Sequence, residues 1–235
     1  MNGAQIPEAR VQLYLPNGKL ISSHFPTFNP ETWYTQRLQI ALSAIDQVHG
    51  DGFWQPVRID VTNEGENWIA GFKADTNRAW LFLHSDQSAT SLDLVHELGH
   101  GLEGYGFANL GIRPSAFASE FESWRRAVAN SEAFKTLVLM RTLKTRVLKV
   151  LGLAYERFIN QDDLAYFLEW NELFARSYAQ FIALTSGFRE MREQIGTFSN
   201  SKYRELLYPT QWAANDFDLI AEEIELLLLR RGWLK

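Results

Sequence analysis

The sequence predicts an α+β fold, in which a small mixed sheet and a helix with paired histidines precede a mainly helical half. Segments of alternating apolar residues lie before position 85, and helical apolar spacing dominates after position 107. The stretch His96-Glu97-Leu98-Gly99-His100 lies where the pattern changes. We therefore expect one domain with an N-terminal part over residues 1–106 and a helical part over residues 107–235.

The first part alternates strands with helices. Asn29, Pro30 and Glu31 form a helix-start signal, and apolar spacing carries that helix to Gly50. The predicted strands occupy residues 10–16, 57–61, 68–73 and 78–84. The last two are expected to pair as a hairpin around residues 75–77. The motif helix begins after Thr90, because a hydroxyl residue followed three positions later by Asp93 resembles a capping box.

The second part is expected to consist of long helices. They are predicted over residues 114–129, 132–155, 162–186 and 216–231. In the third, Phe167, Phe174 and Phe181 recur every seven residues, which predicts a buried face. The second carries a basic side: Lys135, Arg141, Lys144, Arg146 and Lys149. We interpret that side as solvated rather than as a nucleic-acid surface, because the net charge of the chain is −5.

Composition limits the classes of function. Hydrophobic residues make up 46% of the chain and aromatic residues 14%, which is ample for a sizeable core. No apolar run is long enough to predict a membrane span. Residues 1–10 lack the apolar stretch of a signal peptide, so we expect a cytoplasmic protein. The chain has no cysteine, so any metal must be bound by His, Asp or Glu.

The histidine motif predicts a zinc site. Residues four apart on a helix project from the same side, so the imidazoles of His96 and His100 can bind one tetrahedral Zn²⁺. Glu97 can then reach a water on the open side of the metal and accept its proton. The competing explanation is an ordinary helix whose histidines are structural, but the start signal and the apolar spacing of the helix favour the metal.

A third protein ligand must come from elsewhere in the chain. A third His six residues after the second is ruled out, because that position is Gly106. A glutamate on a later helix is the other common ligand. The candidates are Glu120, Glu122, Glu132, Glu156, Glu169, Glu172, Glu190 and Glu193.

Spacing favours Glu172 among these candidates. It lies beside the apolar stripe, and Ala175 and Ala179 leave room for two helices to approach. From spacing alone, an exposed Glu172 paired with Arg176 is an equal alternative.

Residues 166–178, YFLEWNELFARSY, resemble the third-ligand helix of glutamate-type zincins. The similarity is greatest to the lethal-factor-like group and to zincin domains of phage and mobile-element proteins. The resemblance implies a zincin-like fold, with His96, His100 and Glu172 as zinc ligands and Glu97 as the base. It also implies that Tyr166 stabilises the oxyanion.

One position departs from the zincin pattern. Thermolysin-like members carry an aspartate four residues after the ligand glutamate, where it bonds a ligand histidine. This chain has Arg176 there. We therefore expect Asp93, one helical turn before His96, to orient the ligand instead.

Together these features predict a zinc metallopeptidase that acts on a peptide or protein. Peptidases of this kind bind substrate as an added strand, and the strand over residues 68–73 is our candidate edge. Within it, Gly71 permits close backbone approach, and Gly71 and Phe72 are expected to contact substrate. An ordinary hairpin strand with no contact to substrate explains the same residues at least as well. The alternative is a catalytically silent zincin-fold scaffold domain of a phage or mobile-element protein. A helical interaction module with an accidental motif is a further rival, and it predicts no metal.

Overall fold

The computed structural model describes residues 34–50, 57–62, 70–74, 79–84, 89–107, 118–143, 145–150, 153–158, 161–200 and 211–235. The predicted strand over residues 10–16, the helix-start signal at Asn29 and the turn over residues 75–77 lie outside these ranges.

The described residues of the first part form two helices and a three-stranded sheet, as expected for an α+β fold. Helix α1 spans Thr35–Val48 and α2 spans Ser91–Gly101, followed by a π-helical turn at Leu102–Phe107. Between the two helices come the strands β1 (Val57–Thr62), β2 (Ala70–Ala74) and β3 (Ala79–His84).

The sheet is mixed, with β3 in its centre. Its strand order is β1-β3-β2, with β1 parallel and β2 antiparallel to β3. Alternation along β3 buries Ala79, Leu81 and Leu83. The predicted hairpin between β2 and β3 is confirmed, and β2 lies at an edge of the described sheet.

The elements described in the second part are helices, together with one pair of antiparallel strands. Its elements are a short 3₁₀ turn (Ser119–Phe121), α3 (Glu122–Asn130), α4 (Glu132–Leu143), β4 (Thr145–Val150), β5 (Leu153–Phe158), α5 (Gln161–Phe167), α6 (Trp170–Thr185), α7 (Arg189–Asn200) and α8 (Ala214–Arg230). Among the described residues, no helix has the length and apolar character needed to cross a membrane.

Two predicted helices are wrong in their extent. The helix expected over residues 132–155 ends at Leu143, and its second half forms the antiparallel pair β4–β5. Arg146 and Lys149 therefore belong to a strand and do not extend a basic helix side. The sequence signal was Gly152 between two segments rich in β-branched and aromatic residues, which favours a hairpin over a helix.

The helix expected over residues 162–186 is divided in two. Helix α5 ends at Phe167, and α6 begins after Glu169, whose backbone is extended (φ −67°, ψ 135°). The apolar spacing continues across this break, so periodicity alone does not reveal it. Tyr166 and Glu172 consequently lie on different helices.

One core joins both parts of the chain. Leu42 and Ile45 of α1, Leu98 of α2, Phe174 of α6 and Ile224 of α8 belong to the same buried cluster. Helix α2 packs against α6, and also contacts α1 and β2. The motif helix is therefore held on several sides.

Small residues bring α2 and α6 close together. A Cβ atom added at Gly99 would lie 3.1 Å from the Cα of Ala175 and 3.0 Å from Cδ1 of Tyr178. Since a backbone atom cannot move aside as a flexible side-chain tip can, glycine at position 99 sets the distance between the two helices.

Gly99→Ala is expected to destabilise the protein. Overpacking typically costs about 1–3 kcal/mol, and the higher helix propensity of alanine returns up to about 1 kcal/mol of that. Urea unfolding followed by circular dichroism measures the net change. Gly104→Ala is the matched control, because a Cβ there meets no atom within 4 Å. Equal midpoints for Gly99→Ala and the wild type would contradict the close contact.

Candidate metal centre

The start of α2 is fixed by a capping box, as the sequence predicts. The Thr90 hydroxyl accepts a hydrogen bond from the Asp93 backbone N–H at 3.2 Å, and the Thr90 N–H donates to Asp93 Oδ2 at 2.8 Å. The Leu92 N–H, which has no partner within the helix, donates to Gln194 Oε1 of α7 at 3.0 Å. These bonds fix the direction in which the motif side chains project.

Asp93 therefore holds the helix start. The Thr90 hydroxyl also donates to Asp93 Oδ2, at 2.8 Å. We expected Asp93 to orient His96, but the hydrogen bonds found for this carboxylate all run to Thr90. The orienting role of Asp93 stays a prediction.

The paired histidines meet the carboxylate of Glu172. His100 Nε2 lies 3.0 Å from Glu172 Oε1, and His96 Nε2 lies 3.3 Å from Glu172 Oε2. The two imidazole rings are edge-to-face, with centroids 4.9 Å apart. All three side chains are largely buried, with 17%, 16% and 6% exposed for His96, His100 and Glu172. Glu172, which spacing favoured from eight candidates, is thus the one beside both histidines.

The alternative for Glu172, an exposed acid paired with Arg176, is wrong. Glu172 is buried, and so is Arg176. Arg176 directs its guanidinium toward backbone carbonyl groups: Nε donates to the Glu172 oxygen at 3.3 Å, and Nη2 donates to the Phe167 oxygen.

This group can bind a metal ion. One ligand atom from each of His96, His100 and Glu172 lies within 4.8 Å of the other two. Ligand bonds of about 2.0–2.1 Å in a tetrahedral site separate neighbouring ligand atoms by about 3.3–3.4 Å, close to the distances above. Glu172 Oε2 is buried and accepts no well-directed hydrogen bond from any described residue. A buried carboxylate oxygen without a donor is costly, and a cation would stabilise it.

The charges in the group are strongly coupled. Burial raises the pKa of the Glu172 carboxyl, but the close contacts and charges of His100 and His96 outweigh burial and hold that pKa well below its usual range. Burial lowers the pKa of His100, but Glu172 outweighs it and the net shift is upward. Burial raises the pKa of Glu97, which His96 and His100 only partly offset.

His100 and Glu172 of this group line a cavity of about 380 Å³. Its lining residues are Ala70, Gly71, Phe72, Glu97, His100, Glu103, Tyr166, Asn171 and Glu172. Two predicted site residues, His96 and Asp93, do not line the cavity; His96 lies beside Glu172, and Asp93 caps the helix. Tyr166 is 46% exposed. Partial burial, and then the Glu172 carboxylate, raise the pKa of its hydroxyl.

Two lining residues, Glu103 and Asn171, were not predicted from the sequence, whereas Ala70 lies in the strand that was expected to bind substrate. Glu103 had a detectable signal, because it lies seven residues after His96 and three after His100, on the same helical side. It is 4% exposed. Asn171 had no signal beyond being next to Glu172.

Comparisons of the chain with protein-family models, curated proteins and solved structures found no match.

Removing a ligand is expected to abolish tight zinc binding. His96→Ala, His100→Ala and Glu172→Ala should each weaken zinc affinity by more than about 100-fold, because residues that only hydrogen-bond a metal ligand already contribute about 10- to 100-fold. Calorimetric titration of metal-free protein with Zn²⁺ measures this. Glu103 lines the same cavity but does not belong to the ligand group, so Glu103→Gln is the control. This variant should still bind one zinc ion. Wild-type affinity in Glu172→Ala would remove Glu172 from the ligand set.

Proposed function

We propose that this chain is a zinc-dependent metallopeptidase of the glutamate-type zincin class, acting on a peptide or protein. The observation that carries the proposal is the Glu172 carboxylate, which lies against both motif histidines at the wall of an open cavity. An accidental motif gives no reason for a distant, buried acid to meet both imidazoles.

The donor set supports zinc as the metal. Two imidazole nitrogens and one carboxylate are a common set of ligands in catalytic zinc sites, which keep a fourth position open. The same donors also suit Fe(II). Glu97 favours a hydrolytic site over an oxygenase, because it supplies a proton acceptor beside the ligands.

The residues have separate roles in hydrolysis. His96, His100 and Glu172 would hold the zinc ion, which would supply a Lewis acid to polarise the scissile carbonyl and to lower the pKa of a water toward neutrality. Glu97 accepts a proton from the water while the water oxygen attacks the carbonyl carbon. The Glu97 carboxylic acid then donates that proton to the amine as the C–N bond breaks. The Tyr166 hydroxyl donates a hydrogen bond to the carbonyl oxygen as its negative charge grows.

The position of β2 suits an extended substrate. Ala70, Gly71 and Phe72 of this strand line the cavity, and β2 pairs on one side with β3. Among the described strands, none pairs with its other edge, so a peptide can be added there as a further strand. A substrate bound in this way places its backbone past Glu97 and Tyr166.

Glu97→Gln is expected to keep zinc and lose turnover. Glutamine is close in shape but cannot accept the proton, and general-base catalysis contributes about 10²–10⁴-fold. The assay is chelator-sensitive cleavage of denatured protein or of a broad peptide library, with zinc measured in the same sample. Leu219 is 63% exposed on α8, so Leu219→Ser is the control for effects of producing and purifying a variant. It should cleave substrate at the wild-type rate.

Two results would change the proposal. Full activity in Glu97→Gln would exclude Glu97 as the base. One bound zinc in wild-type protein with no cleavage of any substrate would favour the silent zincin-fold scaffold.

Backbone methylation of a peptide substrate is expected to weaken binding at alternate positions. A strand pairs through every second residue toward one neighbour, so only amides that face β2 donate to it. The test uses a series of peptides that each carry one N-methyl group at a different position. Methylation at every second position should raise KM above that of the unmodified peptide, and methylation at the positions between should leave KM nearly unchanged. A uniform effect along the peptide would argue against strand addition.

A further inference from the structure

Arg176 is a buried cation that hydrolysis by the residues above does not use. It lies on α6 one turn after Glu172 and is 5% exposed. Burial lowers its pKa to about 10, while the charge of Glu172 opposes that change. Burying a guanidinium is costly unless its donors are bonded, so its partners indicate what it does.

Its partners lie on two helices. Nε donates to the backbone oxygen of Glu172, and Nη2 donates to the backbone oxygen of Phe167, the last residue of α5. The guanidinium carbon also lies 5.2 Å from the centroid of the Phe167 ring. A carbonyl at a helix C-terminus accepts no hydrogen bond from its own helix. It lies at the negative end of the helix dipole, so a cation there is favourable. Arg176 therefore joins the end of α5 to the first turns of α6.

This connection crosses the break between the two helices. Only Leu168 and Glu169 separate α5 from α6. Tyr166 directly precedes Phe167 and lines the cavity, whereas Glu172 lies on the other helix. Holding the carbonyl and the ring of Phe167 therefore fixes where Tyr166 stands relative to Glu172.

We propose that Arg176 is a positioning residue, which sets the Tyr166 hydroxyl beside the candidate metal centre by fastening the end of α5 to α6. Its effect on turnover rests on the proposed peptidase function, but its effect on the position of Tyr166 does not. Lysine is a poor substitute, because it lacks the planar fork that reaches two carbonyl groups and lies over a ring.

The structural test uses the full chain with 3-fluorotyrosine in place of its 8 tyrosines. The ¹⁹F resonance of position 166 is assigned by its loss in Tyr166→Phe. In Arg176→Gln this resonance is expected to shift toward the value in unfolded protein and to broaden, while zinc affinity stays within about twofold of wild type. If Arg176→Gln does not fold, Arg176→Lys replaces it, with the same change expected.

Arg231→Gln is the matched control. Arg231 Nη2 also donates to a backbone oxygen, that of Phe107 at 3.2 Å, and its guanidinium carbon lies 5.5 Å from that ring centroid. Losing this similar arrangement should leave the Tyr166 resonance unchanged. An unchanged Tyr166 resonance in a folded Arg176 variant would overturn the proposal, whether or not the protein hydrolyses peptides.

The catalytic test is a double-mutant comparison. Tyr166→Phe is expected to lower kcat by about 10²–10³-fold, as for loss of one oxyanion donor. Arg176→Gln should lower kcat by about 10- to 100-fold with KM nearly unchanged, since misplacement of about 1 Å has effects of this size. If Arg176 acts through Tyr166, the double variant matches Tyr166→Phe alone. Losses that multiply would overturn the proposal, and no activity in the wild type would count only against the peptidase function.

Discussion

The close contact between α2 and α6 is the constraint on which the candidate centre depends. Two donor atoms come from one helix and the third from the other, so the distance between the helices decides whether they can share an ion. Gly99 and Ala175 allow that distance, because neither presents a side chain larger than a methyl group. A metal with bonds of about 2 Å tolerates little change in it.

Electrostatics favour a cation at this point. Glu97 and Glu172 carry two acidic groups into a largely buried region, where two imidazoles and the Tyr166 hydroxyl lie close to the Glu172 carboxylate. Glu172 Oε2 lacks a well-directed donor, although His96 Nε2 is 3.3 Å away. A divalent ion between His96, His100 and Glu172 would satisfy this carboxylate oxygen by coordination. The same ion would oppose the effect of burial on the pKa of Glu97.

Local signals predicted much of the site. Interactions over a few residues determine the capping box at Thr90 and the helix that carries His96 and His100, and both are confirmed. The last helix of the chain, which also follows from local spacing, is confirmed as well. Glu172 needed more. The apolar stripe favoured it, the resemblance selected it, and only folding brings it to within 3.3 Å of both histidines.

Other features depend on tertiary contacts and were missed. The break before α6 interrupts a continuous apolar pattern, and the contacts of Arg176 with Phe167 across that break could not be predicted from helical spacing. Spacing was also a poor guide at residues 145–158, where hairpin pairing prevails over helix formation. Glu103 was also missed, although its spacing from His96 and His100 places it on the ligand side of the helix.

Anomalous X-ray scattering at the zinc absorption edge, from crystals grown with zinc, can show whether His96, His100 and Glu172 bind one zinc ion. We expect a single strong peak about 2 Å from His96 Nε2, His100 Nε2 and a Glu172 carboxylate oxygen. A peak elsewhere, no peak at all, or a Glu172 side chain turned away from the histidines would contradict it.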